Sequence, residues 1–419
     1  MMQWSKVSVA LACLLGVACP WSRAEKSWEN VHYSAGTILF GNRHLAFTAE
    51  GQPALVFGSA RGKFMGFAVN ERGSLTISSV VDNPNAEIDR AALNFSPAGL
   101  PAVAYYDDDD EYTKFAAFNG REWEFSTVRE ANNFSAPIFR NDGTPLLALS
   151  DSSEIQLATK SAAGWDLAGT GVSGWVEDLR WTSEGRLAMV SRFYDRDLSY
   201  SVHNGVSWAS SRIDEDTRGA ALAFAPSGSP AVSYLKSGGI YFATMEGGEW
   251  RVSEIEGRTN PGFADNRATA LLFTLEGLPL VCYKKDGRLK SAVLNGDEWL
   301  IQTVDRDREG QRVQGPSLAM NGDGNPVVAY GVGETGLGLA VLAVPVEIQA
   351  IETSVSGLTL HFSAAPEMTG WQIEESEDLV TFRPVQEGRA IVTELSPGRY
   401  QAELALAEFN EKQFLRVVR

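Results

Sequence analysis

The sequence has few cysteines, few histidines and no long hydrophobic run beyond its first residues. With 3 Cys and 4 scattered His in 419 residues, neither a disulfide framework nor a histidine-based metal site explains the fold. Acidic residues outnumber basic ones by 53 to 36, and a formal net charge of −17 repels nucleic acid and anionic lipid. We therefore expect no nucleic-acid partner and no membrane span. Hydrophobic residues make up 44% of the chain, which excludes a disordered protein.

The first 24 residues have the pattern of a secretory signal peptide. Lys6 precedes an apolar run at 7–18, and Ser22-Arg23-Ala24 fits a small-x-small cleavage site. The run is too short to cross a bilayer core of about 30 Å as a helix. A lipoprotein signal ending before Cys19 is the alternative, but Gly16 stands where a branched apolar residue is wanted. Cleavage after Ala24 predicts a secreted, periplasmic or cell-surface protein with a net charge of −19.

Cleavage would leave Cys282 as the single cysteine, so no intramolecular disulfide is expected. Cys282 lies in the apolar run 280–283, which predicts a buried core thiol. A catalytic nucleophile is the alternative, but the sequence places no histidine near it.

One phrase recurs seven times along the chain. It consists of an apolar residue, any residue, a large apolar residue, a turn with glycine, and a second apolar run. Proline follows the glycine by two positions in six copies, and Leu187 takes its place in the fourth. Glycine supplies the positive φ of a tight turn and proline fixes φ where the next strand begins, so the phrase predicts a buried β-hairpin. The turn glycines are Gly51, Gly99, Gly143, Gly185, Gly228, Gly277 and Gly324.

A second hairpin follows in most repeats and ends in tryptophan. It contains Asn-Gly at 119–120, 204–205 and 295–296, and Asn-Gly is a strong signal for a two-residue hairpin turn. The recurring tryptophans are expected to pack between blades, with sugar stacking as the alternative. Each repeat thus predicts four strands in a period of 42–49 residues, which indicates an all-β, seven-bladed β-propeller.

The seventh repeat lacks its last, tryptophan-bearing strand. Residues 26–33 match the missing strand in pattern, because they align with 248–255 of the fifth repeat. We expect this N-terminal strand to complete the last blade and close the ring. An open solenoid is the alternative, and it would leave an unpaired edge.

The repeat pattern ends near Pro345. Residues 345–419 contain alternating strands separated by Ser-Pro-Gly and Asn turns, which predicts a small β-sandwich that follows the propeller as an accessory module. The predicted organisation is a signal peptide at 1–24, a propeller at 25–344 and this module at 345–419.

The phrase resembles secreted bacterial propellers with sialidase-like or BNR-type repeats. The resemblance covers about residues 26–343 and rests on the Gly-x-Pro turns and the Asn-Gly-x-x-Trp hairpins. The hairpins keep the glycine and tryptophan of a sialidase Asp-box and lack its Ser-x-Asp lead. The resemblance implies the architecture and does not name an activity.

Ligand sites in a propeller cluster on the face where loops lead into the innermost strands and out of the second strands. Arg90, Arg218 and Arg267 lie at similar positions before the innermost strands and could clamp a carboxylate such as a uronate or sialate. Ion pairs with neighbouring aspartates are the alternative. Trp175 breaks the tryptophan pattern and is a stacking candidate. The predicted ligand-binding residues are Arg90, Tyr106, Asp107, Trp175, Arg192, Tyr194, Asp195, Arg218 and Arg267.

An acidic run, Asp107-Asp108-Asp109-Asp110-Glu111, is the most unusual local feature. Its carboxylates could bind Ca²⁺, whereas a solvated loop is the alternative because the Asp-x-Asp-x-Asp-Gly pattern is absent. No other cofactor is indicated. The sequence predicts a non-catalytic protein that binds an extracellular glycan or protein. The alternatives are a glycan-processing enzyme of the sialidase or polysaccharide-lyase type and a structural envelope component, with catalytic residues and oligomeric state undetermined.

Overall fold

The computed structural model describes residues 27–34, 44–58, 63–71, 74–83, 86–151, 154–193, 196–257, 269–307, 313–322, 324–333, 336–343, 347–353, 357–363, 372–376, 383–384, 390–396, 399–405 and 414–418. These residues form strands and turns, and no described segment is a helix long and apolar enough to cross a membrane. The chain divides into two compact units. One comprises Asn30–Glu71 and Leu75–Ala340, and the other comprises Met1–Glu29, Arg72–Ser74 and Val341–Arg419.

The propeller consists of seven antiparallel sheets, as the sequence predicted. After β1 (Ser27–Tyr33), blade 1 contains β2 (Leu45–Phe47), β3 (Pro53–Gly58), β4 (Phe64–Glu71) and β5 (Ser74–Asp82). Blade 2 contains β6 (Ile88–Phe95), β7 (Pro101–Asp107), β8 (Tyr112–Phe118) and β9 (Trp123–Glu130). Blade 3 contains β10 (Asn133–Phe134), β11 (Ile138–Phe139), β12 (Pro145–Ser150), β13 (Glu154–Ser161) and β14 (Gly164–Ser173). Its innermost strand is therefore split into two short pieces, which the sequence did not predict.

The next three blades have four strands each. Blade 4 contains β15 (Trp175–Trp181), β16 (Leu187–Arg192), β17 (Leu198–His203) and β18 (Trp208–Asp214). Blade 5 contains β19 (Thr217–Phe224), β20 (Pro230–Lys236), β21 (Gly239–Glu246) and β22 (Glu249–Glu256). Blade 6 contains β23 (Thr269–Phe273), β24 (Pro279–Lys285), β25 (Arg288–Asn295) and β26 (Glu298–Arg306).

Blade 7 confirms the predicted ring closure. It contains β27 (Val313–Met320), β28 (Pro326–Val332) and β29 (Gly336–Ala343), and β1 pairs with β29 as its fourth strand. The innermost strands β27 and β2 are in contact, so the last blade lies next to the first. The unpaired edge of an open array is avoided in this way.

All seven inner hairpins share one turn geometry. The turn glycines have φ between +72° and +86°. In blade 4, the Gly185 amide donates to the Thr182 carbonyl at 2.9 Å and the Thr182 amide donates to the Arg186 carbonyl at 2.8 Å. The six other blades repeat both hydrogen bonds. Since blade 4 lacks the proline, glycine rather than proline determines this turn.

Each innermost strand ends in a large apolar side chain that is half-buried. In register, this residue faces the proline that begins the second strand, or Leu187 in blade 4. We call these seven residues the collar: Phe47, Phe95, Phe139, Trp181, Phe224, Phe273 and Met320.

The Asn-Gly hairpins differ from the expected two-residue turns in two blades. Phe118 faces Trp123, and the four residues between them form the loop. The side-chain oxygen of Asn119 accepts hydrogen bonds from the Arg121 and Glu122 amides at 2.9 and 3.0 Å. Asn204 forms the same cap in blade 4. The asparagine side chain thus stabilises a longer loop by itself accepting the turn hydrogen bonds.

The recurring tryptophans pack between blades, as predicted. Trp165 of blade 3 meets Phe115 of blade 2 edge-on at 5.2 Å, and its indole N–H donates to Ser126 Oγ at 3.1 Å. Trp250 of blade 5 repeats both contacts with Tyr200 and Ser211 of blade 4. Edge-on aromatic pairs contribute about 0.5–1.5 kcal/mol beyond area burial.

Buried tyrosines connect the later blades. The hydroxyl groups of Tyr234, Tyr283 and Tyr330, all in second strands, donate to carboxylates on the fourth strand of the preceding blade. The distances are 2.8 Å to Asp214, 2.7 Å to Glu256 and 3.0 Å to Asp305. Each carboxylate also contacts a basic side chain, which is Lys236, Lys290 or His32, respectively. We call each such set a blade tie.

The last blade tie includes the strand that closes the ring. His32 on β1 lies 2.8 Å from Asp305 of blade 6 and 3.1 Å from the Tyr330 hydroxyl of blade 7. Asn30, also on β1, donates to the Val304 carbonyl at 2.6 Å. The N-terminal strand therefore joins two blades by side chains as well as completing one sheet.

The C-terminal residues form two further antiparallel sheets. One contains β30 (Glu347–Thr353), β31 (Gly357–Ser363), β34 (Ala390–Ser396) and β35 (Arg399–Ala405). The other contains β32 (Gln372–Ser376), β33 (Arg383–Pro384) and β36 (Phe414–Val418). The predicted strand content of this segment is confirmed, and the predicted sandwich and domain boundaries stay predictions.

Cys282 is completely buried in β24, and burial raises the pKa of its thiol. This setting agrees with the predicted core thiol, because a reactive thiolate needs a lowered pKa.

Replacing Tyr234 with Phe tests the blade ties. The variant loses a partly buried hydrogen bond to a charged group, so we expect the free energy of unfolding to fall by about 1.5–3 kcal/mol in urea titrations. Tyr241→Phe is the matched control, because its hydroxyl donates to Glu254 at 2.7 Å on the exposed surface. The control should lose less than about 0.5 kcal/mol. Equal losses would contradict an interblade role.

Asp305→Asn tests the tie at the ring closure by its pH dependence. Burial raises the pKa of Asp305, but hydrogen bonds from His32, the Arg306 amide and Tyr330 outweigh it and leave the pKa lowered. A lowered pKa stabilises the fold above the ordinary value of about 3.9 and loses this effect as pH falls through the lowered value. The variant should be less stable at pH 7, with the difference shrinking below about pH 4.

Unfolding midpoints measured across this pH range for both proteins would show the convergence. Asp297→Asn, in an exposed turn, serves as the control and should change stability by no more than about 0.5 kcal/mol at any pH. A destabilisation of Asp305→Asn that stays constant down to pH 3 would refute the ionic tie.

Candidate functional site

The candidate site lies on the face where the innermost strands begin and the second strands end. We call this side the loop face, and the opposite side, which carries the seven glycine turns, the turn face. Strand register places Arg90 opposite Tyr106 in blade 2 and Trp175 opposite Arg192 in blade 4. Arg218 of blade 5 takes the same position opposite Leu235. The predicted residues thus occupy one equivalent position in three blades.

Blade 3 supplies polar residues at this same position. Asn133 faces Ser150, and the Ser150 hydroxyl donates to the Asn133 side-chain oxygen at 2.7 Å. We call the eight residues at these positions of blades 2 to 5 the loop-face arc: Arg90, Tyr106, Asn133, Ser150, Trp175, Arg192, Arg218 and Leu235.

Hydrogen bonds connect the arc from blade to blade. Arg90 donates to the Asn132 carbonyl at 2.8 Å, which links blade 2 to blade 3. The Val176 amide donates to Ser150 Oγ at 3.2 Å, which links blade 3 to blade 4. The Ala220 amide lies 3.4 Å from a carboxylate oxygen of Glu177, between blades 4 and 5. These bonds fix the strand ends that carry the candidate side chains.

Trp175 and Arg192 form a cation–π pair within the arc. The Arg192 guanidinium lies over the Trp175 ring at 5.1 Å from its centroid, and its Nε donates to Glu177 at 2.9 Å. Trp175 and Arg192 are half-buried, and the neighbouring Phe193 is 41% exposed. Gly174, at φ +110°, precedes the tryptophan, and a Cβ there would lie 2.5 Å from the Arg192 carbonyl. Glycine therefore allows the two strands to approach at Trp175.

Asp107 differs from the rest of the acidic run because it is buried. It accepts hydrogen bonds from the Glu87 amide at 3.0 Å and from Lys114 at 2.8 Å. Burial raises the pKa of Asp107, but these bonds outweigh it and leave the pKa lowered. Lys114 also lies 2.6 Å from Asp110. The ammonium group thus holds two carboxylates of the run from across the hairpin.

The other acids of the run, Asp108, Asp109 and Glu111, are exposed. Tyr106 lies beside them, and burial together with the charges of Asp108 and Glu111 raises the pKa of its hydroxyl. Within the described part of the chain, no three acidic, histidine or cysteine side chains are arranged to hold a metal ion.

The aspartates expected to pair with Arg218 contact other cations. Asp214 accepts from Lys236 at 2.5 Å and from Tyr234 within a blade tie. Asp216 lies 3.1 Å from Arg196. Each of these two carboxylates thus has a cation partner brought to it by the hairpins, and an ion pair of Arg218 stays a prediction.

Three predicted site residues, Tyr194, Asp195 and Arg267, lie outside the described residues. Their participation stays a prediction. Glu177, Asn133 and Ser150 were not among the predicted residues. Asn133 and Ser150 become visible when the blades are aligned on the end of the second strand, and Glu177 becomes visible through its contact with Arg192.

A scan of protein-family models finds no match, and a search of the curated proteins finds no similar sequence. Solved structures do align with the chain. A catalytically inactive virginiamycin B lyase from Staphylococcus aureus, crystallised with quinupristin, aligns at 10% identity and a TM-score of 0.54, covering 75% of this chain and 100% of that one. A streptogramin B lyase aligns at 11% identity and a TM-score of 0.52, covering 75% and 97%.

A likeness at such low identity establishes the propeller fold alone. The seven-bladed propeller architecture is therefore confirmed, and the resemblance to sialidase-like or BNR-type repeats stays a prediction.

The contacts of the acidic run predict that it does not bind Ca²⁺. Because Lys114 occupies Asp107 and Asp110, a calcium ion would have to displace an ammonium group. We expect Ca²⁺ to leave the melting temperature unchanged relative to a chelator and to give no binding heat. A rise that disappears in Asp110→Asn, but persists in the exposed-turn control Asp142→Asn, would instead assign the run as a calcium site.

Proposed function

We propose that the protein is a secreted or cell-surface binding protein that holds a glycan at the loop-face arc. The observation that carries the proposal is the half-buried Trp175 ring, with Arg192 at 5.1 Å and Glu177 beside that arginine. An indole ring offers an apolar surface to the apolar face of a sugar, and adjacent charged groups can hydrogen-bond its hydroxyls. The same combination recurs in no other described pair of the arc.

The existing partners of the charged residues favour binding over turnover. Arg192 contacts Glu177, Asp107 contacts Lys114, and Arg90 contacts a backbone carbonyl. A glycosidase needs two carboxyl groups that face one bond at a defined separation, or a tyrosine nucleophile. A sialidase-like or polysaccharide-lyase-like enzyme is the alternative, and it would use Arg90 and Arg218 with Tyr106 or Asp107.

A binding role is also consistent with the position of the arc. It lies on strand ends that are linked blade to blade by hydrogen bonds, so little conformational entropy would be lost when a ligand binds. The proposed export agrees with the N-terminal pattern.

A glycan array probed with the purified protein tests the proposal. Trp175→Ala should weaken binding to the selected glycan by about 10- to 100-fold, because a central aromatic contact is removed. Phe125→Ala is the matched control, since Phe125 is 53% exposed on the outer strand of blade 2. The control should bind as the parent protein does.

Three outcomes would contradict the proposal. If no glycan on the array binds, a protein is the remaining class of ligand. Cleavage of the bound glycan into products would show that the protein is a glycan-processing enzyme. Equal loss in both variants would place the glycan away from the arc.

A further inference from the structure

The central channel contains a cavity at the turn face, away from the loop-face arc. It has a volume of about 750 Å³ and is lined by the innermost strands of all seven blades. Trp175 and Trp181 mark the two ends of the seven-residue strand β15, and the six steps along the strand separate them by about 20 Å. Small-molecule sites have volumes of about 300–1,000 Å³, so this cavity is large enough for a ligand of its own.

Most of the residues that line the cavity are apolar or aromatic. All seven collar residues line it, and they are half-buried rather than buried. Phe95 is an example of a half-buried collar residue. Its ring packs edge-on against Phe67 of the neighbouring blade, with 6.3 Å between the ring centroids. The ring of Phe95 is thus fixed by interblade packing and also lines the channel. Such rings favour a flat aromatic ligand, because aromatic pairs gain energy beyond area burial.

One charged side chain, Arg180, lies in the described lining of the cavity. Its Nε is 3.5 Å from Asp178, which is 2% exposed and accepts from the Leu222 amide at 2.9 Å. The buried Asp178 carboxylate therefore forms an ion pair with the Arg180 guanidinium. A guanidinium carries its N–H groups in a rigid, planar fork that matches the two oxygens of a carboxylate.

The other polar side chains of the lining are engaged with backbone. Asn94 donates to the Pro137 carbonyl at 2.9 Å, and Ser317 accepts from the Leu45 amide at 3.1 Å. Arg180 is thus the group that can select a ligand by charge.

We propose that the turn-face end of the channel binds an aromatic carboxylate, with its ring against the collar and its carboxylate on Arg180. This site is independent of the proposed glycan site, and either can fail without the other.

Calorimetric titration with 2-naphthoate tests the site. The parent protein should bind it at one site, and 2-naphthylmethanol should bind about 10-fold more weakly because it lacks the charge. Arg180→Gln should weaken naphthoate binding by about 10- to 100-fold and leave the alcohol unaffected. Arg180→Lys keeps the charge but lacks the planar fork, so its affinity for naphthoate should lie between those of the parent protein and Arg180→Gln.

Two further variants locate the binding. Ala46→Phe places a bulky side chain in the cavity and should abolish binding of both probes. Arg186→Gln, on the neighbouring turn and outside the cavity lining, removes the same charge and should bind naphthoate as the parent does. Circular dichroism and melting temperature would confirm that each variant is folded.

The proposal is overturned if naphthoate does not bind the parent protein or if Arg180→Gln and Arg186→Gln behave alike. Tighter binding of decanoate than of naphthoate would overturn the aromatic assignment.

Discussion

The hydrogen bond from a buried tyrosine to a carboxylate of the preceding blade is the contact that holds the second half of the ring in register. Tyr234, Tyr283 and Tyr330 are fully buried, and each reaches an acid that also contacts a lysine or histidine. A buried carboxylate without partners would be costly, so tyrosine, acid and cation stabilise the junction only as a set. Each set therefore adds a directional polar contact to the apolar packing between two adjacent blades.

The first half of the ring uses different contacts at the equivalent position. Phe57, Leu149 and Ser191 replace the tyrosine in blades 1, 3 and 4, and the carboxylates that act on Tyr105 of blade 2, Asp107 and Asp110, belong to its own blade. Ser150 and Glu177 link blades 3, 4 and 5 by accepting backbone N–H groups of the next innermost strand. The loop-face arc falls mainly in this half, and its last two members, Arg218 and Leu235, lie in blade 5 beside the tie of Tyr234.

Most of the fold was predictable because glycine turns and apolar runs are local signals that repeat. Even Gly185, without its proline, could be aligned, and β1 could be assigned to the last blade from its tryptophan and apolar spacing. The loops at Asn119 and Asn204 were not predictable, because the same dipeptide also caps a longer turn. The split strand of blade 3 leaves no clear sequence signal.

The candidate site was predictable only in part, for a geometric reason. Trp175 was noticeable because it broke a pattern. Lys114 was not, since it reaches Asp107 and Asp110 across a hairpin that sequence distance does not describe. Glu177, Ser150 and Arg180 are ordinary residues in the sequence. Their roles are visible only in the folded chain. Glu177 and Ser150 accept hydrogen bonds from adjacent blades, and Arg180 lines the channel.

The pairing of β1 with β29 has a consequence for how the chain folds. His32 and Asp305 are 273 positions apart, so the strand that is synthesised first finds its partner only after six blades exist. Contacts between such distant residues slow folding and leave strand edges exposed to other chains in the meantime. Final docking of the amino terminus is therefore the step at which aggregation competes most directly with maturation, and a chaperone that covers that segment would increase the yield of native protein.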